Sequence, residues 1–91
     1  MDIFTFTARE GIDIILSKVV DMGLYAFQLR DVKFKEDYRY YGNKNFSGIG
    51  IIKEEALTNL VKTIRGRTLV VSVSDENKKR EVDVPENLTA D

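Results

Sequence analysis

The sequence predicts an α+β domain of two layers, an antiparallel sheet with two helices on one face. Three observations carry that expectation. Apolar residues recur at helical spacing in two separate stretches, alternate or run together in the stretches between, and are divided by glycine- and asparagine-rich turns. A length of 91 residues suits one domain, and 43% hydrophobic with 32% charged residues is the balance of a chain that folds.

Ile3 to Phe6 is β-prone. Thr7-Ala8-Arg9-Glu10 has capping-box spacing, in which the threonine hydroxyl takes the Glu10 amide and the glutamate reaches back. Ile12, Ile15, Leu16 and Val19 follow at helical spacing, and Gly23 suits the left-handed position after a helix, so the first helix is expected at about residues 8–22.

Leu24 to Lys35 is expected as a strand. Tyr25, Phe27 and Leu29 share one face, but Val32 and Phe34 fall on the opposite parity. That switch requires a bulge near Arg30-Asp31, a turn, or burial on both faces. Glu36-Asp37 turns the chain, Tyr38 to Tyr41 is β-prone, Gly42 to Asn45 is a turn, and Phe46 to Ile51 continues as strand.

The second helix carries the stripe Leu57, Leu60, Val61 and Ile64. Glu54 and Glu55 lie in its first turn, Lys62 and Arg65 in its last, each complementing the helix dipole, and Gly66 ends it. Thr68 to Ser74 alternates as a strand, Asp75 to Lys78 turns, and Arg80 to Val84 returns beside it. Pro85 to Asp91 is expected to fray, leaving one domain over residues 1–84. The resulting order is β-α-β-β-α-β plus a C-terminal hairpin strand. The ferredoxin-like split βαβ is the leading topology for it, and a plait with another strand order is the rival.

Composition narrows the chemistry. With no cysteine there is no disulfide, thiolate metal site or cysteine nucleophile, and with no histidine the usual general base and nitrogen ligand are missing. The adjacent acids Glu36-Asp37 and Glu54-Glu55 point apart on a strand or helix, and Asp75-Glu76 lies in a turn, so no catalytic residue, metal site or cofactor is expected. A net charge of −1 is too balanced for a dedicated duplex-DNA binder. Met1 to Phe4 has no leader pattern and no apolar run reaches membrane-spanning length, so a cytoplasmic setting is expected, host cytosol if the protein is viral.

The segment from Tyr38 to Gly50 is the least explained by folding. The candidate binding residues are Arg30, Tyr38, Arg39, Tyr40, Tyr41, Asn43, Lys44 and Phe46, because tyrosine and arginine bury large areas while keeping a polar handle. From Arg30 to Lys44 five basic residues face three acidic ones. Ser47-Gly48-Ile49-Gly50 fits neither the dinucleotide fingerprint nor the P-loop, and Glu54-Glu55 would repel a phosphate there. A glycine-relaxed strand end or bulge is the reading that fits. Lys78-Lys79-Arg80 reads as charge that keeps an edge strand in solution.

Lys44 to Ile51 resembles the third-strand motif of RNA-recognition domains, and Gly66-Arg67-Thr68-Leu69-Val70-Val71 resembles the entry to their fourth strand. Asn45 and Gly48 stand where that motif has its first glycine and its second aromatic. The resemblance implies a ferredoxin-like fold in which Phe4 and Phe46 stack bases. The expectation placed first is a small non-catalytic adaptor or inhibitor that binds a protein partner through the Tyr38–Phe46 hairpin, of a size that suits a phage or mobile-element accessory protein. The alternative is a module for RNA, single-stranded nucleic acid or a nucleotide. Self-association into a homo-oligomer through sheet edges is expected as well.

Overall fold

The structure, a computed structural model, describes residues 1–35, 47–72 and 79–91. Helix α1 spans Ile3–Glu10. It begins there because Asp2 caps it, its carboxylate accepting from the Thr5 amide and the Thr5 hydroxyl, both at 2.9 Å. Gly11 ends it at φ 67°, with the Gly11 N–H donating to Ala8 O and the Ile12 N–H to Thr7 O, the paired closure of a Schellman motif.

This start differs from the expected one. Ile3 to Phe6 is helix, not strand, and Thr7 lies inside α1 with its hydroxyl bonded to Phe4 O, so no capping box forms at Thr7–Glu10. The helix expected at residues 8–22 is replaced by strand β1, Ile14–Val19. Glycine inside a helix costs ~1 kcal/mol relative to alanine, whereas just past its end the same residue satisfies orphan carbonyls. The β-branched Ile12, Ile14, Ile15 and Val19 then favour the extended chain.

A turn with Gly23 at φ 64° joins β1 to β2, Leu24–Leu29. The two pair antiparallel with Leu16 opposite Phe27, and β4, Ser47–Gly50, pairs on the far side of β2 with Gly48 opposite Phe27. The first sheet is therefore β1-β2-β4. The parity switch at Arg30-Asp31 is a turn. Asp31 adopts φ 56°, and the chain leaves the first sheet for β3, Val32–Phe34, in a second one. Leu29 and Val32 thereby point into the same core despite opposite parity.

The second sheet is β3-β5-β6, with β5 at Thr68–Ser72 and β6 at Lys79–Asp83 in register Leu69 to Val82. Helix α2, Lys53–Ile64, buries Ala56, Leu57, Leu60, Val61 and Ile64, which includes every residue of the expected stripe. Gly66 follows at φ 74°, its N–H bonded to Val84 O. The described residues thus form an α+β structure with two three-stranded antiparallel sheets around one core, where one sheet and a leading strand were expected. Two sheets result because the turn at Asp31 diverts the chain before β2 can lengthen.

Residues 85–91 do not hang free. Leu88 is buried, the Ile3 N–H donates to Thr89 O at 2.8 Å, and the Thr89 N–H donates to Met1 O. Glu86, Asn87 and Thr89 flank Leu88, so its single apolar side chain carried little periodic signal. The expected Tyr38–Tyr41 strand and the turns at Glu36-Asp37, Gly42–Asn45 and Asp75–Lys78 lie outside the described residues.

Gly48 and Gly50 fix where α2 sits. A Cβ on Gly48 would collide with the backbone of Ala56 and Leu60, and one on Gly50 with that of Glu55 and Ala56. The helix backbone lies directly against the strand, and the Asn59 amide donates to Ile49 O at 2.7 Å to hold it. Gly48→Ala should therefore destabilise by about 3 kcal/mol or more, since neither backbone can yield to the methyl. Gly23→Ala has open space and pays only for its positive φ, about 1 kcal/mol. Urea denaturation of both variants checks the order, and equal losses would contradict it.

Candidate functional site

The strand register decides which side chains stand on each face of the first sheet. Phe27, Leu29, Gly48 and Gly50 share the core face, where Phe4 of α1 meets Phe27 edge-on at 6.4 Å between ring centroids. Both helices lie against that face. The opposite face carries Ile15, Ser17, Val19, Leu24, Ala26, Gln28, Ser47 and Ile49, by alternation along each strand.

Exposed apolar residues are concentrated at one end of the first sheet. Gly50 lies opposite Tyr25, and Leu24 is the first residue of β2. The β1–β2 hairpin tip and the chain leaving β4 therefore emerge together. Val20 is 79% exposed, Met22 69%, Ile51 68% and Ile52 54%, with Val19 and Ile49 half-exposed beside them. Scattered exposed apolar residues are ordinary, whereas apolar residues gathered at one end of a sheet are the kind that contact surfaces use.

Ile52 breaks a local rule as well. It is the N-cap of α2, at φ −120° and ψ 160°, and offers no side-chain hydrogen bond where serine, threonine, asparagine or aspartate would satisfy an orphan amide. Such a substitution costs about 1 kcal/mol of helix stability, and departures of this kind gather at functional positions. Around the group lie Lys18 and Lys53, whose ammonium groups stand 5.7 and 5.9 Å from the Tyr25 ring centroid, and the exposed Asp21 and Glu54. An apolar centre with a rim of both charges is the usual anatomy of a protein contact.

Of the eight candidate binding residues named from the sequence, only Arg30 falls among those described. It is exposed, its N–H donates to Asp13 O at the end of the first sheet, and its guanidinium lies 3.9 Å from the Asp13 carboxylate. Tyr38, Arg39, Tyr40, Tyr41, Asn43, Lys44 and Phe46 lie outside the described residues. Phe4 is on a helix and not on a first strand, so its ring packs against Phe27 instead of lying flat on a sheet. The group Val20, Met22, Ile51 and Ile52 was missed because a helix was expected through residue 22. Its one legible signal was the pair of isoleucines immediately before an acidic first turn.

Other polar clusters are surface pairs. A recess of about 280 Å³ on the second sheet is lined by Lys35, Val70, Lys79, Arg80 and Glu81, with Lys35 and Glu81 paired at 3.2 Å across it. Arg80 pairs with Glu10 at 2.9 Å, tying β6 to α1. The Arg67 guanidinium lies 3.3 Å over the Phe34 ring. Among the described residues no three acids gather as a metal site would require, and no helix is long and apolar enough to cross a membrane.

No family model, curated protein or solved structure matches this chain.

The Thr5 amide, and after it the Thr5 hydroxyl, hold Asp2 below the usual carboxylate range. A depressed value in the folded state adds stability that is present above the unfolded value and is lost as pH falls through the folded one. Asp2→Asn should accordingly lower the melting temperature most near neutral pH, with the gap to wild type closing in acid. A gap independent of pH would contradict this role for the ionised cap.

Proposed function

We propose that this chain is a non-catalytic binding domain, an adaptor or inhibitor, that captures a partner protein through the apolar end of its first sheet. The observation that carries this reading is the joint exposure of Val20, Met22, Ile51 and Ile52 on two chain segments that the sheet register brings together. Burying one such side chain contributes up to about 1.5–3 kcal/mol, so the group supplies the apolar centre of a partner contact that its surroundings complete. The charged rim sets orientation and discourages other partners. The tyrosine- and arginine-rich segment Tyr38–Phe46 supplies a second contact by its composition. A phage or mobile-element accessory protein acting in a host cytosol is the setting that suits this size.

The test is capture by the immobilised full chain from extract of its own host, with the retained protein identified and its affinity then measured. Met22→Asp and Ile51→Asp should each weaken that affinity at least about tenfold, the scale of one lost apolar contact, with circular dichroism unchanged. Tyr40→Ala should weaken it if the second contact is used. Folded Met22→Asp and Ile51→Asp variants that bind as wild type would refute the surface. Retention of nucleic acid with steep salt dependence would instead favour the nucleic-acid alternative.

A further inference from the structure

A different feature of the same sheet points to a partner of known identity, independently of the surface just described. Sheet edges present unpaired backbone groups, and proteins blunt them with charge, brevity or cover. Three of the four edges among the described residues are blunted. On the β4 edge the carbonyl of Ile49 is taken by the Asn59 amide of α2. The β6 edge carries Lys79, Arg80, Glu81 and Asp83, all exposed. The β3 strand is 3 residues long.

The β1 edge has none of these protections. It is 6 residues long, Ile-Ile-Leu-Ser-Lys-Val, with one charge, and among the described residues nothing pairs with its far side. Beside it on the core face, Leu16 is 41% exposed and Phe4 47%, because α1 covers Phe27 but stops short of β1.

The hydrogen-bond phase of β1 is fixed. The Arg30 N–H donates to Asp13 O, so Asp13, Ile15, Ser17 and Val19 turn their backbone groups toward β2. Ile14, Leu16 and Lys18 therefore turn theirs outward. We propose that β1 pairs antiparallel with β1 of a second copy, about a twofold axis perpendicular to the sheet that passes between the two Leu16 residues.

Such an axis keeps core face beside core face, so residues of like parity must oppose. Leu16 opposite Leu16 and Ile14 opposite Lys18 is the register that satisfies every outward group of the strand. It yields a continuous sheet in the order β4-β2-β1-β1-β2-β4. The two Leu16 side chains meet at the axis, the exposed Phe4 rings close over them from each α1, and the aliphatic stem of Lys18 lies along Ile14 of the other copy. A six-residue strand pairing with three apolar side chains per copy, Phe4, Ile14 and Leu16, is small beside the ~1,600 Å² of a standard interface, so the dimer is a weak one, with Kd on the order of 50 µM.

Sedimentation velocity of the full chain from about 5 to about 500 µM tests this, a range chosen to bracket that constant. The weight-average mass should rise from monomer to dimer across it. Leu16→Lys, which sets two ammonium groups face to face on the axis, should keep the chain monomeric throughout with its circular dichroism intact, while Lys62→Ala on the far side of α2 should dimerise as wild type. Leu16→Ser removes the contact without adding charge and should raise Kd at least about tenfold, which keeps the proposal falsifiable should the lysine variant not fold. A wild type that stays monomeric at the highest concentration overturns the proposal. So does a dimer that persists unchanged in a folded Leu16→Lys or Leu16→Ser variant.

Discussion

The contact on which the rest of the molecule depends is the backbone of α2 lying against the backbone of β4 at Gly48 and Gly50. Any side chain there would lift the helix from near-backbone spacing toward the roughly 8–10 Å that side-chain-mediated packing requires. With no Cβ in the way, and with only the methyl of Ala56 on the helix side, α2 drops close enough for Leu57, Leu60, Val61 and Ile64 to reach past the first sheet into the core it shares with the second. The Asn59 amide on Ile49 O ties the same two elements from their edge. One helix thus serves three purposes: it fills the core, joins two sheets that share no hydrogen-bonded strand, and takes the Ile49 carbonyl on the β4 edge.

The consequences spread to the surface. Because both helices lie on the face that carries Phe27, the opposite face of the first sheet has no helical layer among the described residues, and Val19 and Ile49 on it are left half-exposed. Because α2 begins so close to the end of β4, only Ile51 and Ile52 separate strand from helix, and neither turns inward. The exposed end of the sheet is therefore a product of how the core is assembled, and it keeps isoleucine and methionine where polar residues would cap and solubilise better. The C-terminal segment completes the assembly from the other side. Leu88 enters the core and Thr89 hydrogen-bonds with Met1 and Ile3, so that the two ends of the described chain secure one another.

Much of the architecture was legible in the residues. The stripe, acidic first turn and terminal glycine of α2 determined it, and the β5–β6 hairpin followed from alternation about Leu69, Val71 and Val82. Even the parity conflict between Leu29 and Val32 signalled that the strand could not continue, although only the structure distinguishes a turn that changes sheets from a bulge. The N-terminal third misled because Ile12, Ile15, Leu16 and Val19 satisfy helical spacing by coincidence, while the decisive residues, Asp2 as a cap and Gly11 as a terminator, act on single hydrogen bonds that periodicity does not register. Misplacing that helix hid both the hairpin tip with Val20 and Met22 and the open edge of β1. The meaning of Gly48 and Gly50 was also beyond a sequence reading, since what they admit is a helix backbone placed by distant contacts. The candidate site was accordingly legible only as residue types suited to binding, with Arg30 alone falling where the structure can place it.

The glycine-floored contact between α2 and β4 is measured most directly by nuclear Overhauser spectroscopy of the labelled protein. The Hα protons of Gly48 should give strong cross-peaks to the backbone amide of Leu60, and those of Gly50 to the amide of Ala56, at intensities that require direct backbone contact. Their absence, with Gly48 instead close only to side-chain protons of α2, would place the helix a full side-chain layer away and contradict that arrangement.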